Sequence, residues 1–201
     1  MIVVRPMRVR DLIQVMAVNR RCFASPWSEK VFRTELMDNP FSTWLVLEQH
    51  KPIPPTARLK NLLLPNRNRP ATVRQIIGFG GFWLMRGEAH ISNIGVDPAY
   101  QRGGLGELLM ITMLQQAIAR EASWTSLEVR VSNTSAIKLY EKYRYETTRL
   151  KSSYYRDNGE DAYWMVAKPL DQSYRTMLIT YREQLRQKIE WTTEFPQEIG
   201  S

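Results

Sequence analysis

The segment from Val96 to Gly106 constrains the fold of this chain most, because it leaves a strand, makes a glycine-rich turn and opens a helix. Glycine lets backbone amides turn outward and approach a ligand closely. The first amides of the following helix have no partners within the helix, and the helix dipole favours negative charge. The segment is therefore typical of a turn that binds a pyrophosphate. The alternative is a glycine-rich turn ahead of an ordinary surface helix.

Two other phosphate-binding motifs do not fit this segment. No Gly-Lys-Ser/Thr follows the turn, as a P-loop requires. Gly104 and Gly106 have the local spacing of a dinucleotide-binding fingerprint, but the third glycine of that fingerprint is missing. The segment therefore belongs to neither of these classes of nucleotide site.

Hydrophobic spacing along the chain predicts the order β-α-α-β-β-β-α-β-α-β-β, which is a mixed α+β arrangement. Ser28 is suited to cap the second helix, and Arg86-Gly87 is suited to a tight turn between two strands. The predicted strands cover residues 2–4, 43–48, 75–85, 88–96, 126–131, 146–153 and 161–167, and the predicted helices cover residues 11–23, 28–37, 105–121 and 135–143.

Two segments differ from the rest of the chain. Residues 51–75 contain six basic residues, no acidic residue and five prolines, which predicts a long basic loop inserted between two strands. Such a loop suits binding to a phosphate-rich surface such as RNA or a ribosome. The alternative is an insertion that has no partner. Beyond Pro169, an amphipathic terminal helix is predicted by the spacing of Tyr174, Met177, Leu178, Tyr181 and Leu185. We therefore expect a domain over residues 1–169, with the loop 51–75, and a helical extension over residues 170–201.

Charge and composition narrow the partners. The net charge of +8 favours an anionic partner such as nucleotide phosphates, nucleic acid or a ribosome surface, unless it serves solubility alone. One cysteine, Cys22, excludes an internal disulfide framework, and with only two histidines we expect no metal site. The sequence has no run of eighteen apolar residues, and its first residues lack the features of a secretory signal. We therefore expect a cytoplasmic protein without membrane contact.

The glycine-rich turn carries a resemblance to a known superfamily. Gln101-Arg102-Gly103-Gly104-Leu105-Gly106 resembles the Gln/Arg-x-x-Gly-x-Gly/Ala coenzyme A signature of the GCN5-related N-acetyltransferase (GNAT) superfamily, and the resemblance spans about residues 1–167. It implies a mixed, mostly antiparallel sheet flanked by helices, with acetyl-CoA as co-substrate. It also implies a set of cofactor-binding residues, the first three through backbone pairing with the pantetheine arm: Ile94, Gly95, Val96, Arg102, Gly103, Gly104, Leu105, Gly106, Glu107 and Asn133.

A closer resemblance is to the bacterial ribosomal-protein alanine N-acetyltransferases, the RimI family. It rests on four stretches, which are residues 26–30, 94–106, 127–141 and 154–165. The resemblance implies direct transfer of an acetyl group to a protein N-terminal amine, the N-terminal alanine of a small-subunit ribosomal protein. The chain departs from the family at Tyr143-Arg144-Tyr145, where a Leu-Gly-Phe is usual. This change removes a glycine suited to the left-handed turn at a helix end.

The resemblance implies Glu128 as general base and Tyr140 as general acid. An α-amino group has a pKa of about 7.7–8.0, so it must lose a proton before it attacks a thioester, and the departing thiolate must gain one. The residues alone leave alternatives open. Glu128 alternates with apolar neighbours and could pair with Arg130 on a solvent-facing side of the sheet. Tyr140 has the spacing of a core residue in a helix, and Asn133 has the position of a helix N-cap.

Three aromatic residues are candidates for substrate binding. Tyr154 and Tyr155 could hold a peptide backbone through their hydroxyl groups, as the resemblance implies. Adjacent strand residues point to opposite faces, so one of the two should face the ligand unless the backbone is irregular. Trp27 could form a wall of the same pocket or serve as a half-buried anchor before a helix.

Two other functions compete with acetylation of a ribosomal protein. One is acetylation of other protein N-termini or of a small amine by an enzyme of the same superfamily. The other is a non-catalytic ribosome- or RNA-binding module that retains the scaffold, which the basic loop favours. The presence of both Glu128 and Tyr140 argues against an inactive site.

Overall fold

The computed structural model of the protein describes residues 1–52 and 72–196. These residues form an eight-stranded sheet with five α-helices packed on its faces. The strands are β1 (Ile2–Pro6), β2 (Ser42–Pro52), β3 (Thr72–Met85), β4 (Glu88–Val96), β5 (Trp124–Arg130), β6 (Glu146–Tyr155), β7 (Glu160–Ala167) and β8 (Trp191–Thr193). The helices are α1 (Leu12–Cys22), α2 (Glu29–Met37), α3 (Leu105–Ala119), α4 (Thr134–Lys142) and α5 (Gln172–Arg186).

The strand order in the sheet is β6-β7-β5-β4-β3-β2-β1-β8. The neighbouring strands are antiparallel except for two parallel pairs, β4 with β5 and β1 with β8. The predicted α+β class, with a mixed and mostly antiparallel sheet, is therefore confirmed. The first eleven strands and α-helices along the chain also follow the predicted order.

The core lies on both faces of the sheet. On one face, α1 and α2 bury Leu12 and Phe32 against the strands, and the rings of Phe32 and Phe79 meet edge to face at 5.5 Å. On the other face, α3 is buried on nearly all sides because α5 covers it with Leu178 and Leu185. This double burial explains why α3 is apolar throughout rather than amphipathic.

Local signals in the sequence explain several element boundaries. The Ser28 hydroxyl accepts a hydrogen bond from the Val31 N–H at 3.4 Å, which confirms the predicted cap of α2. Arg86 and Gly87 both have positive φ angles, 50° and 79°, as a tight two-residue hairpin turn requires. The terminal amphipathic helix forms as α5, and the Asp171 carboxylate caps it by accepting from the Tyr174 N–H at 2.9 Å.

The predicted loop 51–75 is wrong at both of its ends. β2 extends to Pro52 and β3 begins at Thr72, and these two residues are paired in the antiparallel ladder. A strand tolerates proline at its end, where the ladder does not require an N–H from that residue. Residues 53–71 lie outside the described residues. The division of the chain into a domain over 1–169 and an extension over 170–201 stays a prediction.

Two further features were absent from the predictions or left open by them. The three-residue strand β8 pairs in parallel with β1, and it is too short to show a sequence pattern. At the end of α4, Arg144 adopts the left-handed conformation (φ 58°), and the Tyr145 N–H donates to the Tyr140 carbonyl at 3.1 Å. The turn that glycine usually makes is therefore kept, with an arginine that bears the steric cost of that conformation.

Within the part of the chain that the structure describes, no helix has both the length and the apolar character that crossing a bilayer requires.

Candidate active site

The parallel strands β4 and β5 separate from each other inside the sheet. Their pairing ends at Ile91 and Leu127, although β4 continues to Val96 and β5 continues to Arg130. β4 remains paired with β3 on its other side. The separation therefore exposes the facing edges of two strands without disrupting the rest of the sheet.

A cleft with a volume of about 450 Å³ opens at this separation. Side chains from α1, the α1–α2 connection, the strands β3 to β6 and α4 line it. The cleft brings together seven of the predicted site residues, which are Trp27, Ile94, Glu128, Asn133, Tyr140, Tyr154 and Tyr155. The other predicted residues, Gly95, Val96 and 102–107, belong to the end of β4 and to the glycine-rich turn that follows it.

The glycine-rich turn opens α3 as the sequence predicts. Arg102 and Gly104 have left-handed backbone angles (φ 63° and 81°), and Gly104 is the N-cap of α3. A Cβ at Gly106 would have no atom within 4 Å, and one at Gly103 would meet only the Tyr100 carbonyl at 3.9 Å. The start of α3 therefore offers backbone amides beside open space.

Other groups in the same turn hold the fold together. The Leu105 side chain is buried in the core, so only its backbone remains for a ligand. A Glu107 carboxylate oxygen accepts a hydrogen bond from the Tyr143 hydroxyl at 2.8 Å. A Cβ at Gly104 would come within 2.9 Å of Ile189, which follows α5. The C-terminal segment thus packs directly against the turn.

The end of β4 has one paired edge and one edge that faces the separation. Ile94, Gly95 and Val96 pair with β3 on the first edge. The Val96 carbonyl accepts hydrogen bonds from the Gln101 amide at 2.9 Å and from the Cys22 thiol at 3.2 Å. These two bonds tie the end of β4 to the turn and to α1.

The Glu128 carboxylate points into the cleft and is 10% exposed. Lys151 donates to Oε1 at 2.6 Å, and His90 Nε2 lies 3.2 Å from Oε2. Burial alone would raise the pKa of Glu128, but the hydrogen bonds from His90 and Lys151 outweigh burial and lower the pKa to about 2. The alternative partner, Arg130, pairs instead with Asp157 and Glu160 outside this cluster.

The sequence predictions missed two groups that contact Glu128, His90 and Lys151. His90 stacks on Trp83 with ring centroids 5.6 Å apart, and Lys151 lies 3.7 Å from the centre of the Trp164 ring. The polar residues on alternate positions of β4 and β5 were a signal that could have found His90, because they share one face of the sheet: Glu88, His90 and Ser92, then Ser126, Glu128 and Arg130. Lys151 carries no comparable signal.

Tyr140 and Asn133 line the same cleft from α4 and its N-terminus. Burial raises the pKa of Tyr140 above the usual range of a phenol, so its hydroxyl holds its proton at neutral pH. Asn133 caps α4, because its side-chain oxygen accepts from the Ala136 N–H at 3.2 Å. The N-cap alternative for Asn133 is therefore confirmed, and the residue also faces the cleft.

Tyr154 and Tyr155 both line the cleft, although they are adjacent in β6. The β6–β7 register shifts between Lys151 and Tyr155, and Ser153 has a positive φ of 49°. This irregularity turns neighbouring side chains toward one side, and the two rings meet at 84° with centroids 5.2 Å apart. Burial, then the nearby Glu128 charge, raises the pKa of Tyr154 to about 12.

Trp27 is both a wall of the cleft and an anchor packed in the core before α2, the two roles that its sequence position allows. It lines the cleft, and it packs against Phe32 and Trp44 with ring centroids 5.5 Å away in each case. It also stacks on Trp83 at 6.4 Å. Three aromatic rings in series, Trp27, Trp83 and His90, therefore form one wall of the cleft.

In residues 1–52 and 72–196, no group of three or more His, Cys, Asp and Glu side chains has an arrangement that could hold a metal ion.

Comparison with known proteins finds relatives whose names describe the same activity. The chain is 33% identical over 159 residues to a candidate ribosomal protein bS18-alanine N-acetyltransferase of Bacillus subtilis, covering 79% of this chain and 90% of that protein. It is 30% identical over 158 residues to the ribosomal protein bS18-alanine N-acetyltransferase of Escherichia coli K12, covering 78% and 90%.

Solved structures share the fold. A crystal structure of the ribosomal-protein alanine N-acetyltransferase from Escherichia coli matches with a TM-score of 0.65 at 27% identity, covering 84% of this chain and 94% of that one. The structure of NAA60 from Arabidopsis thaliana in complex with acetyl-CoA matches with a TM-score of 0.67 at 15% identity, covering 84% and 98%. The second match concerns the fold alone.

The sequence resemblance to N-acetyltransferases is confirmed by these relatives. A family model described as the acetyltransferase (GNAT) family matches residues 12–144. These residues include both separating strands and the glycine-rich turn between β4 and α3. With two thirds of the chain matched by that family and four fifths aligned to the Bacillus subtilis relative, the chain belongs to the GNAT family of N-acetyltransferases.

Proposed function

We propose that this chain transfers the acetyl group of acetyl-CoA to the N-terminal alanine of ribosomal protein bS18. One observation carries the proposal: the cleft between β4 and β5 places a carboxylate that is 10% exposed, Glu128, and a buried phenol, Tyr140, around one cavity. The names of the Bacillus subtilis and Escherichia coli relatives support alanine of bS18 as the acceptor.

The groups around the cleft fit a direct transfer. The substrate amine attacks the thioester carbon and loses a proton toward Glu128, while Tyr140 donates a proton to the departing thiolate. Burial, and then the charge of Asp97, raises the pKa of the Cys22 thiol to about 11. Cys22 therefore remains a thiol at neutral pH, which disfavours a covalent acetyl-cysteine intermediate.

The turn at the start of α3 fits the pyrophosphate of acetyl-CoA. Gly103 and Gly106 leave open space beside unpaired helix amides, and Gly104 supplies the left-handed angle. The free edge of β4 at Ile94 to Val96 fits an extended pantetheine arm. Acetyl-CoA supplies the acetyl thioester, and the chain supplies the binding and proton-transfer groups.

Replacing Gly106 with leucine tests this cofactor site. The new side chain would enter the open space beside the helix amides, so coenzyme A affinity in calorimetry should fall at least about tenfold, or about 1.4 kcal/mol. A helix gains from losing a glycine, so the free energy of unfolding should rise by up to about 1 kcal/mol. Gly106→Ala, with one methyl group, is the matched control and should lose less affinity. Unchanged affinity in the leucine variant would place the phosphates elsewhere. Gly104 is unsuitable for this test, because its substitution would strain the backbone and collide with Ile189.

The aromatic side chains of the cleft fit a peptide better than a polyamine. Tyr154 and Tyr155 offer two hydroxyl groups, and Trp27 and Trp83 form an apolar wall. The charges next to Glu128 include Lys151, which would repel a second amine of a polyamine.

Acetylation of other protein N-termini is the remaining alternative within the superfamily. Ribosome or RNA contact through the basic segment 51–75 stays a prediction from its charge.

An acetylation assay tests the proposed function. The full chain is incubated with acetyl-CoA and, separately, with peptides that begin Ala-Arg, Ser or Met-Leu, or with a free polyamine, and coenzyme A release is measured. We expect the Ala-Arg peptide to give the highest kcat/KM, with a mass increase at its α-amine. Preference for the Met-Leu peptide would indicate another class of N-terminus, and turnover of the polyamine alone would overturn the proposal.

A further inference from the structure

A line of polar contacts runs from the cleft along the paired part of β4 and β5. Glu128 Oε2 lies 3.2 Å from His90 Nε2. The other ring nitrogen, Nδ1, lies 2.9 Å from the Ser126 hydroxyl. That hydroxyl lies 2.5 Å from a carboxylate oxygen of Glu88. The four groups are therefore connected, and only the first of them is a predicted catalytic group.

Hydrogen-bond donors and acceptors fix the direction of this line. The Glu88 carboxylate can only accept, so the Ser126 hydroxyl must use its single hydrogen on Glu88. Ser126 can then only accept from the imidazole, which requires a hydrogen on His90 Nδ1. A neutral His90 consequently has a bare Nε2, and that nitrogen faces Glu128.

In this arrangement His90 Nε2 and Glu128 Oε2 together accept a proton strongly. When His90 is neutral, a ring lone pair and a carboxylate oxygen face each other at 3.2 Å without a hydrogen between them. When His90 is protonated, the same contact becomes a charge-assisted hydrogen bond. Two groups coupled in this way take up protons as a pair rather than individually.

The pairing removes a difficulty with Glu128 as a base on its own. With Lys151 on one oxygen and a protonated His90 on the other, the pKa of Glu128 is held near 2, about six units below that of an α-amine. Such a carboxylate cannot retain a proton taken from an amine. A neutral His90 behind it can take that proton on its bare Nε2, which then donates a charge-assisted hydrogen bond to the carboxylate.

We propose that Glu128 and His90 form one coupled base, in which the proton of the substrate amine ends on His90 Nε2 while Ser126 and Glu88 fix the tautomer. The proposal rests on the proposed function. One amine N–H bond breaks and one N–H bond forms on the ring, as the amine bonds to the acetyl carbon. The C–S bond breaks with the thiolate taking the Tyr140 proton. After product release His90 loses its proton to solvent and the Tyr140 phenolate regains one from solvent, so both groups return to their starting state. His90 acts through Glu128 and is a positioning residue.

The surroundings of His90 determine the direction of its pH response. The charged or titratable groups near it are Glu88 on its own strand, Glu128 on β5, and Lys151 and Tyr154 on β6 beyond Glu128. Trp83 on β3 and Trp164 on β7 cover the ring on its other sides. Activity should be low when His90 is protonated and should rise as pH increases and the ring becomes neutral.

The test follows kcat against pH at saturating Ala-Arg peptide and acetyl-CoA. The wild type should show a rise in kcat as pH increases. His90→Gln should lower kcat by about 10²-fold and leave only the rise that comes from deprotonation of the substrate amine, at about pH 7.7–8.0. Ser126→Ala keeps the contact between His90 and Glu128 but frees the tautomer, so it should lower kcat less and keep the rise. His50→Gln, at the chain's other histidine, which pairs with Glu48 away from the cleft, is the matched control and should match the wild type.

A second measurement does not depend on activity. With His50 replaced by glutamine, His90 gives the only imidazole signal in the NMR spectrum, and its titration is followed in the resting protein. Glu128→Gln should lower the pH of that titration, since the paired carboxylate is lost. If the wild type acetylates no peptide, the proposed function fails, and the ring titration alone decides the coupling. His90→Gln with an unchanged rise in kcat, or a ring titration unaffected by Glu128→Gln, would overturn the inference.

Discussion

Replacing Glu128 with glutamine is expected to lower kcat by about 10²–10⁴-fold while acetyl-CoA binding is unchanged. Glutamine keeps the size of the side chain and can still accept from Lys151, but it cannot take a proton from the amine. Because the cofactor turn lies outside the lining of this part of the cleft, calorimetric affinity for coenzyme A should stay at the wild-type value.

Replacing Tyr140 with phenylalanine should have an effect of the same order. The change removes the hydroxyl that protonates the thiolate and preserves the buried ring. Tyr145→Phe is the matched control. The ring of this buried tyrosine lies 5.9 Å from the Tyr140 ring, but its hydroxyl hydrogen-bonds to Thr125 instead of facing the cleft. It should lose stability without a comparable loss of kcat. Wild-type turnover in both Glu128→Gln and Tyr140→Phe would show that proton transfer uses other groups.

The fold could be predicted well from the sequence where local signals and long-range packing agree. Ser28 caps a helix because its hydroxyl matches a free amide, and Arg86-Gly87 turns because glycine permits its angle. Short or extended pairings could not be predicted in the same way. β8 has three residues, and the hairpin pairing that includes Pro52 depends on the facing strand rather than on its own sequence.

The candidate site could be predicted only where a motif existed. The glycine-rich turn and the segment around Glu128 both come from recognisable patterns, and the cleft brings Glu128, Tyr140 and the tyrosine pair together. The contacts of Glu128 could not be predicted, because His90 and Lys151 come from β4 and β6 and meet only through the order of strands in the sheet. The packing of Ile189 against Gly104 is another contact that sequence spacing does not reveal.

Replacing Arg5 with methionine is expected to lower the free energy of unfolding at pH 7 by about 3–5 kcal/mol. Arg5 is 4% exposed and donates to two buried carboxylates, to Asp11 at 2.7 and 2.9 Å and to Glu48 at 2.5 and 3.0 Å. Methionine has a similar length without charge, so Asp11 would lose its buried ion-pair partner, and Glu48 would keep His50 at 2.5 Å and Arg74 at 4.0 Å. Arg33→Ala is the matched control, because Arg33 pairs with Glu29 at a half-exposed site. That change should cost less than about 0.5 kcal/mol.

The pH dependence of stability is a second measurement on the Arg5→Met variant. Burial alone would raise the pKa values of Asp11 and Glu48, but hydrogen bonds outweigh burial and lower both values. These bonds come from Arg5 in both cases, with the Arg8 N–H added at Asp11 and His50 added at Glu48. Their contribution to wild-type stability is therefore present above about pH 4 and is lost as pH falls through the lowered values. Without Arg5 the carboxylates protonate more readily, so the difference between wild type and Arg5→Met should narrow as pH falls below about 4. Chemical denaturation at pH 7 and at about pH 3 measures this difference. A loss below about 1 kcal/mol at pH 7, or a loss that stays constant with pH, would show that the ion cluster does not stabilise this end of the sheet.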